Sequence, residues 1–186
     1  MMMKNVKLIL IASILLCLSC EKVMAQSPYK MSIGGTLGVI ATGASFKTFL
    51  TEDVSLQSDI LYKVTFLGMK FGFYPAIEVN TNVMYQKKLK DKQNSELFWF
   101  IGGGISLGNE IMYAFNGKFG ANAITGLEFV FKDKPLAFQM DLRPGYGMLF
   151  NSGNELKGNA FHPNYNPWPH FDWMIGFTLR YTFKEK

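Results

Sequence analysis

Cysteine and histidine are nearly missing from this chain of 186 residues, which has two of each. Both cysteines, Cys17 and Cys20, fall in a leading segment built like an export signal. Lys4 and Lys7 give it a basic start, Leu8 to Leu18 an apolar run, and Val23-Met24-Ala25 a cleavage site before Gln26. We therefore expect a signal peptide over residues 1–25 and a mature chain over residues 26–186. Lipidation at Cys20 is the alternative, because Leu18-Ser19-Cys20 loosely follows a lipobox, though Cys17 stands three before Cys20 where leucine or a similar residue is usual. Cleavage after Ala25 removes every cysteine, and with them disulfides, thiolate metal sites and thiol redox chemistry.

Charge of one sign is also lacking. Without Lys4, Lys7, Lys22 and Glu21, 16 basic and 13 acidic residues remain, a net +3. That is too mild for a nucleic-acid binder, in which a basic patch dominates. Long hydrophobic runs are absent as well. The most apolar stretch of the mature chain, Leu97 to Leu107, is broken by Gly102, Gly103 and Gly104. A spanning helix needs about 20 apolar residues, and the export run is also too short. The glycines do not mark a phosphate loop, since no helical pattern follows them. His162 and His170 sit in one loop without a nucleophile arrangement or metal-ligand spacing. No catalytic residue, metal site or cofactor is predicted.

What the chain has instead is alternation. In FDWMIGFTLRYTF, Phe171, Trp173, Ile175, Phe177, Leu179, Tyr181 and Phe183 share one face of a strand, and Asp172, Met174, Gly176, Thr178, Arg180 and Thr182 share the other. The apolar face is aromatic at its ends and aliphatic between, and the opposite face carries both signs of charge. Thirteen residues at about 3.3 Å each reach roughly 40 Å, enough to cross a ~25 Å apolar band at a barrel's tilt.

The same pattern recurs upstream. It predicts strands over about 30–40, 44–50, 54–70, 77–88, 96–107, 118–131, 136–149 and 171–183. Ala41-Thr42-Gly43 is expected as a turn, 71–75 as a break, Lys87 to Ser95 as a charged connection and 150–170 as the longest loop. The fold class is all-β, an eight-stranded antiparallel up-and-down transmembrane β-barrel, because a membrane protein without spanning helices must close its sheet. Phe98 and Phe100 fall on the inward face by strict alternation, which demands either a bulge or a packed interior.

The inward charges are Lys47, Asp59, Lys63, Glu78, Lys118, Glu128, Asp141, Arg143, Asp172 and Arg180, five of each sign. Side chains fill the interior of so small a barrel, so these are expected to form a balanced network. Asp141 is expected to interact with Arg180, with Glu128 as a second carboxylate. In the last loop, Phe161, Tyr165 and Trp168 are candidate contacts for a glycan or lipid headgroup, against a reading as interfacial anchors.

The stretches GKFGANAITGLEFVFKDKPLAFQMDLRPGYGMLF, FDWMIGFTLRYTF and SFKTFLTEDVSLQSDILYK resemble the small OmpA-like outer-membrane β-barrels of Gram-negative bacteria, especially the Bacteroides-type proteins. The resemblance implies delivery by the barrel-assembly machinery through a C-terminal aromatic signal. Here Phe183 is followed by Lys184, Glu185 and Lys186, a departure from the commonest pattern, and no appended peptidoglycan-binding domain is expected, so cell-wall attachment is not carried over. The expected partners are outer-membrane lipid, the barrel-assembly machinery and an extracellular glycan or protein. The expected function is a structural or surface-interaction barrel without chemistry, not an enzyme; a narrow channel, transporter or lipid-modifying enzyme is the alternative.

Overall fold

A computed structural model of the chain describes residues 28–66, 73–110, 116–153 and 164–183. Within them β1 (Met31–Gly38), β2 (Ala41–Phe49), β3 (Val54–Phe66), β4 (Phe73–Asp91), β5 (Ser95–Glu110), β6 (Asn116–Phe131), β7 (Leu136–Gly153) and β8 (Asn164–Phe183) pair in sequence order. Each strand is antiparallel to the next, and β8 closes against β1 from Met31↔Phe183 to Gly38↔Gly176. The expected all-β, eight-stranded up-and-down barrel is the observed fold. The expected export segment with Cys17 and Cys20, and residues 184–186, lie outside the described residues.

The alternation read from the sequence is what closes the barrel. Along β8, Phe171, Trp173, Ile175, Phe177, Leu179, Tyr181 and Phe183 all point outward and are exposed, Phe171 at 68% and Leu179 at 55%. Met174, Thr178, Arg180 and Thr182 point inward and are buried. On the other strands Ile33, Leu37, Ile60, Val79, Val83, Ile101, Ile105, Phe119 and Leu142 continue the exposed apolar wall, while Ser32, Gln57, Asn82, Gln86 and Gln139 are buried behind it. The outside is apolar and most of the buried side chains are polar, the reverse of a protein folded in water.

The strands are staggered around the axis. From Gly38 the register steps to Gly176, Asp141, Gly126, Phe100 and Gln86, and a hydrogen bond from the Gln86 N–H carries it to Asp53 below β3. Continuing through β2 returns the path to β1 about ten residues from its start, the kind of shear that tilts strands and leaves a small barrel room only for side chains. Inward glycines permit this curvature. A Cβ on Gly104 would stand 1.9 Å from the Thr81 carbonyl oxygen, and one on Gly126 would meet both the Met140 carbonyl and the Phe100 ring.

Several boundaries differ from expectation. The β1–β2 turn falls at Val39-Ile40, so Ala41, Thr42 and Gly43 already belong to β2 and pair with Lys63, Tyr62 and Leu61. β4 begins at Phe73 and includes Pro75; the end of β3 beyond Phe66 lies outside the described residues. The Lys87–Ser95 connection is largely strand, with β4 running to Asp91 and β5 starting at Ser95. Within the expected 150–170 loop, the described residues 150–153 and 164–170 are strand: Asn151↔Asn166, Ser152↔Tyr165 and Gly153↔Asn164 extend the β7–β8 ladder into an arm.

Pro167 and Pro169 disguised that arm, and the register explains why they are tolerated. The Ile175 carbonyl accepts from the Val39 N–H, so odd residues of β8 turn their polar backbone toward β1. β1 pairs no farther than Gly176, so among the described residues the missing N–H groups of Pro167 and Pro169 face no partner strand. Pro144 shows the contrary case. It faces β6, and the β6–β7 ladder is interrupted between Asn122↔Gly145 and Thr125↔Leu142.

Candidate functional site, the lumen

All ten sequence-predicted lumen charges face inward, and every one has a charged partner. They form three layers. At the turn end, which carries the β2–β3, β4–β5 and β6–β7 connections, fully buried Glu128 is the hub. It accepts hydrogen bonds from the Tyr29 hydroxyl at 2.7 Å, Lys47 Nζ at 2.8 Å and Gln86 Nε2 at 2.6 Å, with Arg180 Nη1 at 3.5 Å. Lys47 also donates to Gln86 Oε1 at 2.6 Å and lies 5.4 and 5.5 Å from the ring centres of Phe49 and Phe100. The ring faces supply negative potential that the single carboxylate cannot.

The middle layer is built on Arg143. Its Nε donates to Asp141 Oδ1 at 2.6 Å, its Nη2 to Asp141 Oδ2 at 3.1 Å, and its Nη1 to Asp59 Oδ2 at 2.5 Å. Gln57 Nε2 donates to both Asp59 oxygens at 3.2 and 2.9 Å. The third layer, toward the opposite, loop end, is a ring of two lysines and two carboxylates. Lys118 donates to Glu78 at 2.5 Å and to Asp172 at 2.8 Å; Lys63 donates to Glu78 at 3.4 Å and pairs closely with Asp172.

The expected balance holds over the whole set but not layer by layer. Lys47 and Arg180 outnumber Glu128 in the first layer, and Asp59 and Asp141 outnumber Arg143 in the second. Gln139 joins these two layers, accepting from Arg180 Nη1 at 2.8 Å and donating to Asp141 Oδ2 at 2.7 Å. The amide thus aligns its dipole between an excess cation and an excess anion. The direct Asp141–Arg180 contact expected from the sequence is corrected here. Arg143, two residues along on the same face of β7, takes Asp141 instead, and Arg180 bonds Ser45 Oγ at 3.2 and 2.9 Å as well as Glu128. Glu128 does share a layer with Arg180.

Phe98 and Phe100 resolve in favour of a packed interior. Both are buried inside the barrel with β5 in unbroken register against β6. Phe100, Met84 and Ile124 form one apolar plug, and Phe98, Val130, Ala137, Tyr29 and Phe49 another, with Tyr29 and Phe49 edge to face at 5.1 Å. Tyr29 and the bridging role of Gln139 are what sequence reasoning missed. By strict alternation along β4 and β7, Gln86 and Gln139 face inward, but Tyr29 precedes the first strand and carries no periodic signal.

The aromatic loop candidates separate. Tyr165 and Trp168 lie on the β8 side of the arm, opposite Ser152 and Leu149; Phe161 and His162 lie outside the described residues. At the turn end, beyond the apolar wall, Lys88 donates to Glu96 at 2.6 Å and to Asp91 at 3.5 Å, and Lys132 also pairs with Asp91. The bond from Lys132 holds the Asp91 carboxyl below its usual range, and the bond to Glu96 raises Lys88. Among the described residues no group of three or more metal-ligating side chains gathers. Compared with known proteins, the chain matches no family model and no curated sequence.

Proposed function

We propose that this chain is an outer-membrane β-barrel of the small OmpA-like kind, exported by its leading segment, with a structural or surface-interaction role and a sealed lumen. The observation that carries the reading is the inverted polarity of the barrel. A wall of exposed aliphatic and aromatic side chains surrounds an interior of buried charges and amides, an arrangement that is costly in water and favourable in lipid. The lumen supports a role without chemistry. Its ten charges are committed to one another, and a buried charge already paired and hydrogen-bonded has little left to polarise a substrate or escort an ion. The apolar plugs around Phe98 and Phe100 add steric closure at the turn end. The β7–β8 arm rises past the end of β1 and is the element best placed to meet an extracellular glycan or protein.

Planar-bilayer recording tests the sealed lumen. The refolded barrel, shown to be inserted by protease protection, should give no steady conductance above the bare bilayer. A sustained single-channel current from the unaltered chain would contradict the reading and favour a narrow channel.

A further inference from the structure

The β4–β5 hairpin projects past the start of β3 at the turn end, and one irregularity there changes what its outer wall presents. Along β4 the even residues Asn82, Met84 and Gln86 are inward. The register against β5 then shifts between Lys88 and Lys90, so that Lys90 pairs with Leu97 and Asp91 with Glu96. Leu89 is the extra residue. Without it the unbroken register would set Lys90 opposite Glu96, on the inward side. A β-bulge re-aims the side chains that follow it, and this one turns Lys90 to the outer face.

The bulge also sorts charge. The acids of the hairpin, Asp91 and Glu96, are taken up by Lys88 and Lys132. Among the described residues no carboxylate lies within ion-pair distance of Lys90 or Lys92. These two lysines, with Ser95, rim a pocket of ≈ 240 Å³ whose remaining walls are Leu97 and Phe129. Those two residues are cross-strand partners at the end of the apolar wall. One step farther into the wall, Trp99 packs edge to face on Tyr85 at 6.0 Å. The volume is below the ~300–1,000 Å³ of typical small-molecule sites, and suits a headgroup whose tail continues along the wall.

We propose that Lys90, Lys92 and Ser95 bind the phosphate of an anionic glycerophospholipid, with its acyl chain lying over Leu97 and Phe129 beside Trp99. The site rests on the membrane reading above, and it adds a lipid preference to the leaflet that the turn end meets. Lysines near such a surface are worth about 1 kcal/mol each, or about fivefold in occupancy. Outward Lys87, opposite Trp99, contributes to the same field without lining the pocket.

Trp99 reports on this position. In a chain carrying Trp168→Phe and Trp173→Phe it is the sole tryptophan of the three. The barrel is reconstituted in phosphatidylcholine vesicles containing a minor share of phosphatidylglycerol, and either lipid in turn carries brominated chains that quench on contact. Brominated phosphatidylglycerol should quench Trp99 several-fold more than its mole fraction predicts. Lys90→Gln with Lys92→Gln should bring that excess to unity and leave quenching by brominated phosphatidylcholine unchanged, whereas Lys88→Gln should retain it. Millimolar inorganic phosphate should not compete; displacement by it would overturn the lipid assignment in favour of a free-anion site. Equal quenching by both lipids in the unaltered lysine background, or an excess that survives the double change, would overturn the proposal while the membrane reading stood. Absence of quenching by either lipid would remove the membrane reading and the site with it.

Discussion

Asp141 has two oxygens and three donors, and the way they are shared defines the chemistry of the lumen. Arg143 takes both oxygens and Gln139 one of them. Removing either member of a buried, hydrogen-bonded pair strands the other, which costs about 3–5 kcal/mol when burial is complete. Arg143→Gln and Asp141→Asn should therefore couple strongly in a double-mutant cycle, toward the upper part of the ~0.5–3 kcal/mol range for contacting groups. Arg180→Gln and Asp141→Asn should couple only weakly, near its lower end, because the amide of Gln139 separates them. Urea unfolding of the refolded barrel in detergent micelles measures both cycles. Equal coupling would mean that the Gln139 bridge transmits charge as well as direct contact does. At this scale, facing was legible and partnership was not. Alternation placed all ten charges inside. It could not decide between Arg143 on Asp141's own strand and Arg180 on the next, since both share its face.

Elements were legible where they alternate and obscure where punctuation residues intrude. The core of β8 and the faces of β3, β4 and β6 follow from a period of two. The arm was hidden because proline and asparagine ordinarily mark loops, and only the register reveals that Pro167 and Pro169 lie on an edge needing no N–H. The bulge at Leu89 was hidden for a different reason: one inserted residue leaves no compositional trace. Proline on an exposed edge also blocks pairing with a second chain. Pro167→Thr with Pro169→Thr should restore two outward N–H groups and promote association through the arm. Light scattering of the detergent-solubilised barrel should show a concentration-dependent rise in mass absent from the parent chain. An unchanged monomer would mean that the arm's side chains, and not its prolines, keep the edge apart.

For the whole molecule the question is which medium surrounds the barrel and which fills it. The stagger of about ten residues, the close approach of Gly104 and Gly126 to neighbouring strands, and the Phe98 and Phe100 plugs all describe an interior with room for side chains alone. This much was half legible: closure and strand number follow from the pattern of apolar faces, but filling depends on aromatic residues that a rule of polar lumens would have sent outward. Accessibility along β8 tests medium and filling together. Single cysteines at positions 173 to 181 are spin-labelled one at a time, with Cys17 and Cys20 replaced, and the barrel is placed in lipid bilayers. Labels at 173, 175, 177, 179 and 181 should collide freely with oxygen and poorly with a water-soluble nickel chelate. Labels at 174, 176, 178 and 180 should be immobile and shielded from both. Nickel access on the even positions would show a water-filled lumen, and nickel access on the odd positions would show a barrel that does not sit in lipid at all.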